Sequence, residues 1–115
     1  MEPKIYQRLA DILPVVTAHG EGEKFVFLSN AESTTSLTQF AYGKLHPGET
    51  IKEHIHATME ECFFFLEGVG IYTINGIDYP VEPSSFVRIV AGAPHQLKAT
   101  GSEDLSFVYF GVAQH

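Results

Sequence analysis

The sequence predicts an all-β domain, a sandwich or barrel built from many short strands. Its apolar residues fall in short runs separated by turn residues, which is typical of strands and not of helices. Asn75-Gly76 lies between two such runs and is a strong hairpin signal, because a type I′ turn needs positive φ at both central positions. Short strands, frequent turns and scarcely any helix together indicate a sandwich or a barrel.

The N-terminal residues are the one region with a helical pattern. Apolar side chains recur at helical spacing from Ile5 to Leu13, but Pro14 ends that run. A strand followed by one turn fits this region nearly as well. We expect residues 1–22 to form a segment that packs on the barrel or on a partner subunit.

The rest of the chain, residues 23–113, is predicted to form the barrel. Turn residues divide it into nine apolar or alternating runs. The predicted strands are residues 25–29, 37–45, 50–56, 61–66, 71–74, 77–81, 86–90, 95–99 and 105–112.

Composition restricts the class of protein. The chain has 115 residues, of which 44% are apolar and 18% charged, which predicts one globular domain over residues 1–115. Fourteen acidic against seven basic residues give a net charge of −7, so nucleic acid and anionic membranes are poor partners. Cys62 is the single cysteine, the N-terminus lacks the pattern of a secretory signal, and no apolar run approaches the ~20 residues that span a bilayer. These features predict a cytoplasmic protein.

Three histidines and a glutamate form a candidate metal site. His54 and His56 share one face of a predicted strand, about 7 Å apart along the chain, and two imidazoles on one face can hold a metal ion. If residues 57–60 form a turn, the next strand starts at Glu61, which then lies opposite the histidines. His95 opens a further strand after a turn. The histidine pair alone is weak evidence, because such pairs are as often half-exposed polar residues.

The spacing of these residues resembles the first motif of the cupin superfamily, G(X)5HXH(X)3,4E(X)6G. Gly48, His54, His56, Glu61 and Gly68 fit every fixed position of that motif. The resemblance implies a double-stranded β-helix, the jelly-roll barrel of two antiparallel sheets.

The second cupin motif, G(X)5PXG(X)2H(X)3N, is met in part. Gly92 and His95 are in place, whereas Ser84 replaces the first glycine, Val90 the proline and Ala99 the asparagine. The histidine is the chemical element of this motif, and the other fixed residues shape turns. The departures therefore bear on the loop before His95 more than on the fold.

The resemblance implies a set of four metal ligands. Glu60 is the rival carboxylate because the motif allows three residues before its glutamate, but only Glu61 has six residues before Gly68. The implied ligands are His54, His56, Glu61 and His95.

Three imidazoles and one carboxylate suit one divalent transition metal, Fe, Mn, Ni, Cu or Zn, better than Mg or Ca. A six-coordinate ion with four protein ligands keeps two positions for a small-molecule ligand. The resemblance implies an enzyme that acts on a small oxygen-rich metabolite, a sugar, sugar acid or keto or hydroxy acid, by isomerase or dioxygenase chemistry. The alternatives are a binding or sensing module without turnover and a structural barrel without metal.

The strand that follows the metal motif has two different faces. We expect Phe63 and Phe65 to line the cavity wall beside Glu61, or to form plain barrel core. Its other face carries an apolar stripe that must be covered: Cys62, Phe64 and Leu66. Either the N-terminal segment or a second subunit can cover it, and we expect a homodimer in which the outer sheet faces pack.

Five other side chains are weaker candidates for the site. Lys52 alternates in phase with the histidine pair, so it either reaches the cavity mouth or remains a surface lysine. Arg88 either binds a ligand carboxylate or forms an ion pair at a sheet edge. Tyr42, Tyr72 and Tyr109 are proton donors if they point inward, but the pattern leaves their facing open. The remaining histidines are expected at the surface: His19, His46 and His115.

Overall fold

The computed structural model describes residues 3–18 and 20–114, and this part of the chain is almost entirely β-structure. Each of the nine predicted strands is present, with ends that differ by a few residues. The strands are β1 Val15–Val16, β2 Glu23–Ser29, β3 Leu37–Leu45, β4 Thr50–His54, β5 Met59–Glu67, β6 Gly70–Ile74, β7 Ile77–Val81, β8 Phe86–Ile89, β9 His95–Ala99 and β10 Leu105–Ala113. Two short 3-10 turns, Leu9–Asp11 and Asn30–Glu32, complete the elements.

The strands form two sheets, one with the order β1-β2-β3-β10-β5-β8 and one with the order β4-β9-β6-β7. All neighbouring strands in both sheets run antiparallel. From β3 to β10 the chain passes repeatedly from one sheet to the other, and only the β6–β7 hairpin stays within a sheet. This is the double-stranded β-helix that the sequence predicts, and the prediction is confirmed.

The core lies between the two sheets because the inward residues of the strands are apolar. On β5, Phe63 and Phe65 are buried, whereas Phe64 and Leu66 retain 43% and 40% of their exposure. The Phe63 ring stacks on Tyr109 of β10 with 5.0 Å between centroids. Burying one such aromatic side chain contributes about 2–3 kcal/mol to folding stability. This contribution fixes which side chains of β5 face the core.

Two turns show where the backbone takes positive φ. Asn75 and Gly76 have φ of 52° and 75° between β6 and β7, which agrees with the predicted hairpin. Ser84 has φ of 75° in the turn before β8. Ser84 occupies the position where the second cupin motif has glycine, and left-handed backbone is strained for any side chain larger than hydrogen.

The N-terminal segment contains no α-helix within residues 3–18. Leu9–Asp11 forms one 3-10 turn, and β1 pairs with β2. Ile5 and Leu13 remain 86% and 87% exposed, so these two residues bury too little apolar surface to stabilise a helix. The Lys4 ammonium is bonded to the carbonyl of Phe27, which ties the start of the segment to the barrel. The part of the chain described by the structure has no helix long and apolar enough to cross a bilayer.

Candidate metal centre

Four side chains, three on strands and one in the loop after β4, converge at one end of the space between the sheets. His54 ends β4, His56 follows two residues later, Glu61 lies in β5 and His95 begins β9. One donor atom from each lies within 4.8 Å of the other three. The structure thus brings together all four residues that the sequence singles out as ligands.

A β-bulge in β4 sets the direction of His54. Ile51 pairs with Leu97 and His54 with His95, so β4 has one residue more than β9 over the same length. The extra residue leaves Lys52 exposed while Ile51 and His54 line the cavity. Lys52 therefore lies outside the cavity wall. It was a candidate because period-two alternation puts it on the same face as the histidines, and the bulge interrupts that alternation.

Backbone carbonyls orient two of the imidazole rings. His54 donates from Nδ1 to the carbonyl of Lys52, and His95 donates from Nδ1 to the carbonyl of Ala93, both over 2.8 Å. A carbonyl can only accept, so each ring donates from Nδ1, and Nε2 is the atom left for a metal ion. Such outer hydrogen bonds fix the tautomer of metal-binding histidines in proteins.

The cluster fits a transition metal. Glu61 is 5% exposed, and its Oε1 lies 3.4 Å from His56 Nε2 and 3.6 Å from His95 Nε2. The Nε2 of His95 is buried without a hydrogen-bond partner. Ligand atoms about 2.1 Å from one ion are about 3 Å apart when adjacent and about 4.2 Å apart when opposite. The observed separations are compatible with this arrangement, and an ion would satisfy both the orphaned nitrogen and the buried carboxylate.

Three of the four clustered residues open onto a cavity of about 140 Å³. His54, His56 and Glu61 line it, and Phe63 forms part of its wall. Phe65 is fully buried in the core and does not line the cavity. Of the two phenylalanines expected at the wall, Phe63 lines the cavity and Phe65 belongs to the barrel core.

Two of the three candidate tyrosines face the cavity. Tyr72 of β6 and Tyr109 of β10 line it, and burial raises the pKa of both phenols, with a smaller contribution from the negative charge of Glu61. Both phenols therefore keep their protons at neutral pH. Tyr42 packs against Phe25 away from the cavity, because it alternates with the inward Ala41.

Arg88 and Glu60 pair with each other at the edge of the large sheet. Arg88 donates to both carboxylate oxygens of Glu60 at 3.1 and 3.2 Å. The pair lowers the pKa of Glu60 and raises that of Arg88. Two roles are predicted for Arg88, binding of a ligand carboxylate and an ion pair at a sheet edge. Because β8 is an edge strand, the observed pair with Glu60 is the second of these. The side chains of Glu60 and Glu61 point to opposite faces of β5, and Glu60 is not part of the cluster.

Lys24 and Gln39 also line the cavity, and the sequence pattern predicted neither of them as a site residue. The predicted strand starts at residue 25, whereas β2 starts at Glu23, so Lys24 falls just outside the predicted alternation. Of the other histidines, His46 is exposed and bonded to Asp104 at 2.8 Å. His19 and His115 lie outside the described residues.

The fold and the cluster define a class of protein, a double-stranded β-helix with a three-histidine, one-carboxylate site inside its barrel. The profile of the cupin domain matches residues 41–111, which include all four clustered residues. The chain belongs to the cupin family, as its motifs indicate.

Comparison with known proteins gives several relatives. An oxalate-binding protein of Thermotoga maritima is 32% identical over 89 residues, which cover 77% of this chain and 74% of that protein. The crystal structure of a predicted oxalate decarboxylase from Thermotoga maritima superposes with a TM-score of 0.88 at 27% identity, covering 95% of this chain and 99% of that one. A 5-nitrosalicylic acid 1,2-dioxygenase of a Bradyrhizobium species is 31% identical over 70 residues, which cover 60% of this chain and 33% of the dioxygenase.

Proposed function

We propose that the protein is a metal-dependent enzyme that binds a small keto or hydroxy acid and catalyses isomerase-type proton transfer on it, in which a water molecule takes the proton from the carbon next to the carbonyl and a proton is later returned to that carbon from solvent. The observation that carries this proposal is the convergence of the four donor residues on a cavity that also contains two protonated phenols. His54, His56, Glu61 and His95 would hold the ion. A divalent transition metal at such a site supplies Lewis-acid polarisation of ligand oxygens.

The size of the cavity favours a small ligand. Its volume of about 140 Å³ is close to that of an engineered cavity of about 150 Å³ that binds benzene. A molecule of about six non-hydrogen atoms fits this space, whereas drug-sized ligands occupy about 300–1,000 Å³. A short keto or hydroxy acid is therefore a better candidate than a hexose or a larger metabolite.

The residues around the donors supply orientation and proton donors. Phe63 makes part of the cavity wall apolar, and an apolar wall strengthens electrostatic interactions inside the cavity. Tyr72 and Tyr109 can donate hydrogen bonds to a ligand oxygen on which negative charge develops, because their raised pKa values keep them protonated. The Tyr72 ring lies 6.2 Å from that of His95, so this phenol belongs to the immediate surroundings of the cluster.

The test is solvent deuterium exchange at the carbon next to the carbonyl of short 2-keto acids, followed by NMR with protein loaded with Zn, Mn or Ni. We expect exchange by the native protein and a loss of about 10²-fold in Tyr72→Phe or Tyr109→Phe, because general acids contribute about 10²–10⁴-fold. Acid binding and metal content should change little. Tyr42→Phe is the matched control, since its phenol lies away from the cavity. Undiminished exchange in both cavity variants would contradict the proposed role of the phenols.

A second candidate function is binding of a small acid without turnover. The relationship to an oxalate-binding protein favours it, because that protein matches over 77% of this chain. It predicts metal-dependent binding of short acids in calorimetry with no deuterium exchange. Dioxygenase chemistry, suggested by the Bradyrhizobium relative, instead predicts oxygen uptake by the Fe(II) form. That activity should survive the tyrosine substitutions, so the three functions give different results.

A further inference from the structure

We infer that Lys24 and Gln39 form an anion subsite across the cavity from the metal cluster, which makes the ligand a short dicarboxylate. One carboxylate would lie at the metal and the other at the Lys24 ammonium. This inference rests on the proposed metal site and adds a second point of attachment to it.

The register of the large sheet points Lys24 into the barrel. Lys24 of β2 lies opposite Gly43 of β3, which in turn lies opposite Phe107 of β10. Directly opposed residues on antiparallel strands project to the same face. Phe107 is a buried core residue that lines the cavity, so Lys24 shares its direction.

The charge of Lys24 has no carboxylate partner within residues 3–18 and 20–114, where no acidic oxygen lies within 4.0 Å of its ammonium. Its Nζ donates instead to the neutral Oε1 of Gln39 over 3.3 Å, in a partly buried position. A partly buried cation beside a neutral amide is incompletely compensated, and an anionic ligand would complete it. Gln39 acts here as a positioning residue that holds the ammonium at the cavity wall.

The subsite lies on the same face of the sheet as the carboxylate of the metal cluster. Gln39 of β3 and Glu61 of β5 both pair with Gly111 of β10, so they flank it in one row across the sheet. Neighbouring strands are about 4.8 Å apart, which separates Gln39 and Glu61 by about 10 Å at the backbone. Both side chains line the same cavity of about 140 Å³, so a short ligand can contact both.

The charges around the cavity favour a dianion. A divalent ion, the Glu61 carboxylate and the Lys24 ammonium together leave two positive charges. Glu23 and Lys44 also border the cavity, but they form the pair next to Lys24 and Gly43 on β2 and β3, so the register directs both side chains to the outer face of the sheet. A dicarboxylate neutralises the excess, whereas a monocarboxylate leaves one charge uncompensated.

The test compares oxalate, malonate and the monoanion glycolate by calorimetry with zinc-loaded protein. We expect native protein to bind at least one dianion more tightly than glycolate. Lys24→Met should weaken dianion binding about ten- to hundredfold with little effect on glycolate, because hydrogen bonds to charged groups contribute in that range. Lys98→Met removes the same charge at an exposed position of β9 and should leave all three affinities unchanged. Lys24→Gln provides a second neutral variant if the methionine variant does not fold.

The outcomes separate this inference from the proposed function. The anion subsite alone is overturned if native protein takes up zinc and binds the acids, but the Lys24 variants lose no affinity or lose it equally for dianion and monoanion. Native protein that binds none of the three acids overturns the proposed function together with the subsite. Dianion selectivity lost in Lys24→Met and Lys24→Gln, and kept in Lys98→Met, supports the inference.

Discussion

Replacing Ser84 with glycine should stabilise the protein. Ser84 follows Pro83 in a turn closed by the bond from the Ser85 amide to the Glu82 carbonyl at 3.0 Å, and its φ is 75°. This is the third position of a type II turn, where positive φ favours glycine. A side chain in left-handed backbone costs about 1–2 kcal/mol. The greater freedom of glycine in the unfolded chain offsets about 0.4–1 kcal/mol of that gain.

The net effect of Ser84→Gly is a stabilisation of about 0.5–1 kcal/mol, which raises the melting temperature by about 2–6 °C for a domain of this size. The assay is thermal and urea unfolding of variants with equal metal content. Gly48→Ala is the reciprocal control, because Gly48 has φ of 84° and an added Cβ meets no atom within 4 Å. We expect Gly48→Ala to lower stability through backbone strain alone. Ser84→Gly that leaves the melting temperature unchanged or lowers it would refute the strain argument.

Three further predictions concern other parts of the fold. Asp104 accepts a hydrogen bond from His46 and raises the pKa of that imidazole above 6.5. The contact therefore stabilises the fold fully below pH 6.5, and this stabilisation is lost as the pH rises through the raised pKa. Asp104→Asn should lower the pKa of His46 in an NMR titration, and an unchanged pKa would exclude the contact. Gly43→Ala should destabilise by about 1–3 kcal/mol in urea unfolding, because the added Cβ meets the buried ring of Phe107, and unchanged stability would show that the ring can move. The homodimer stays a prediction. If the outer face of β5 is the interface, Phe64→Glu should shift the mass measured by light scattering from dimer to monomer. A native protein that is monomeric would contradict the prediction.

The sequence predicted the strands well because local signals agree with the tertiary fold. Apolar alternation on β5 places Glu61 and Phe63 inside, and the Asn75-Gly76 turn fixes the β6–β7 hairpin. The four clustered residues were accessible because motif spacing and strand period select the same side chains. Motif spacing already selected Glu61 over Glu60, and the structure adds that Glu60 pairs with Arg88, a residue distant in sequence.

The remaining parts of the site depended on features that carry no clear local signal. A bulge between Ile51 and His54 moved Lys52 out of phase. The facing of Tyr72 was ambiguous because both sides of its strand are largely apolar. Lys24 precedes the apolar run from which its strand was predicted, and only the pairing with β3 shows its direction. The anion subsite is therefore visible in the sheet register and not in the motif.

Metal content tests the central claim most directly. Protein purified without a histidine tag should contain about one transition-metal ion per chain by elemental analysis, and His54→Ala and His95→Ala should each lose most of it. His46→Ala is the control, because His46 is exposed and lies outside the cluster. Removing one of four ligands weakens binding, because the ion loses one protein bond and water has to take its place. Native protein that binds no transition metal, or His54→Ala and His95→Ala variants that keep it in full, would contradict the assignment of this cluster as a metal centre.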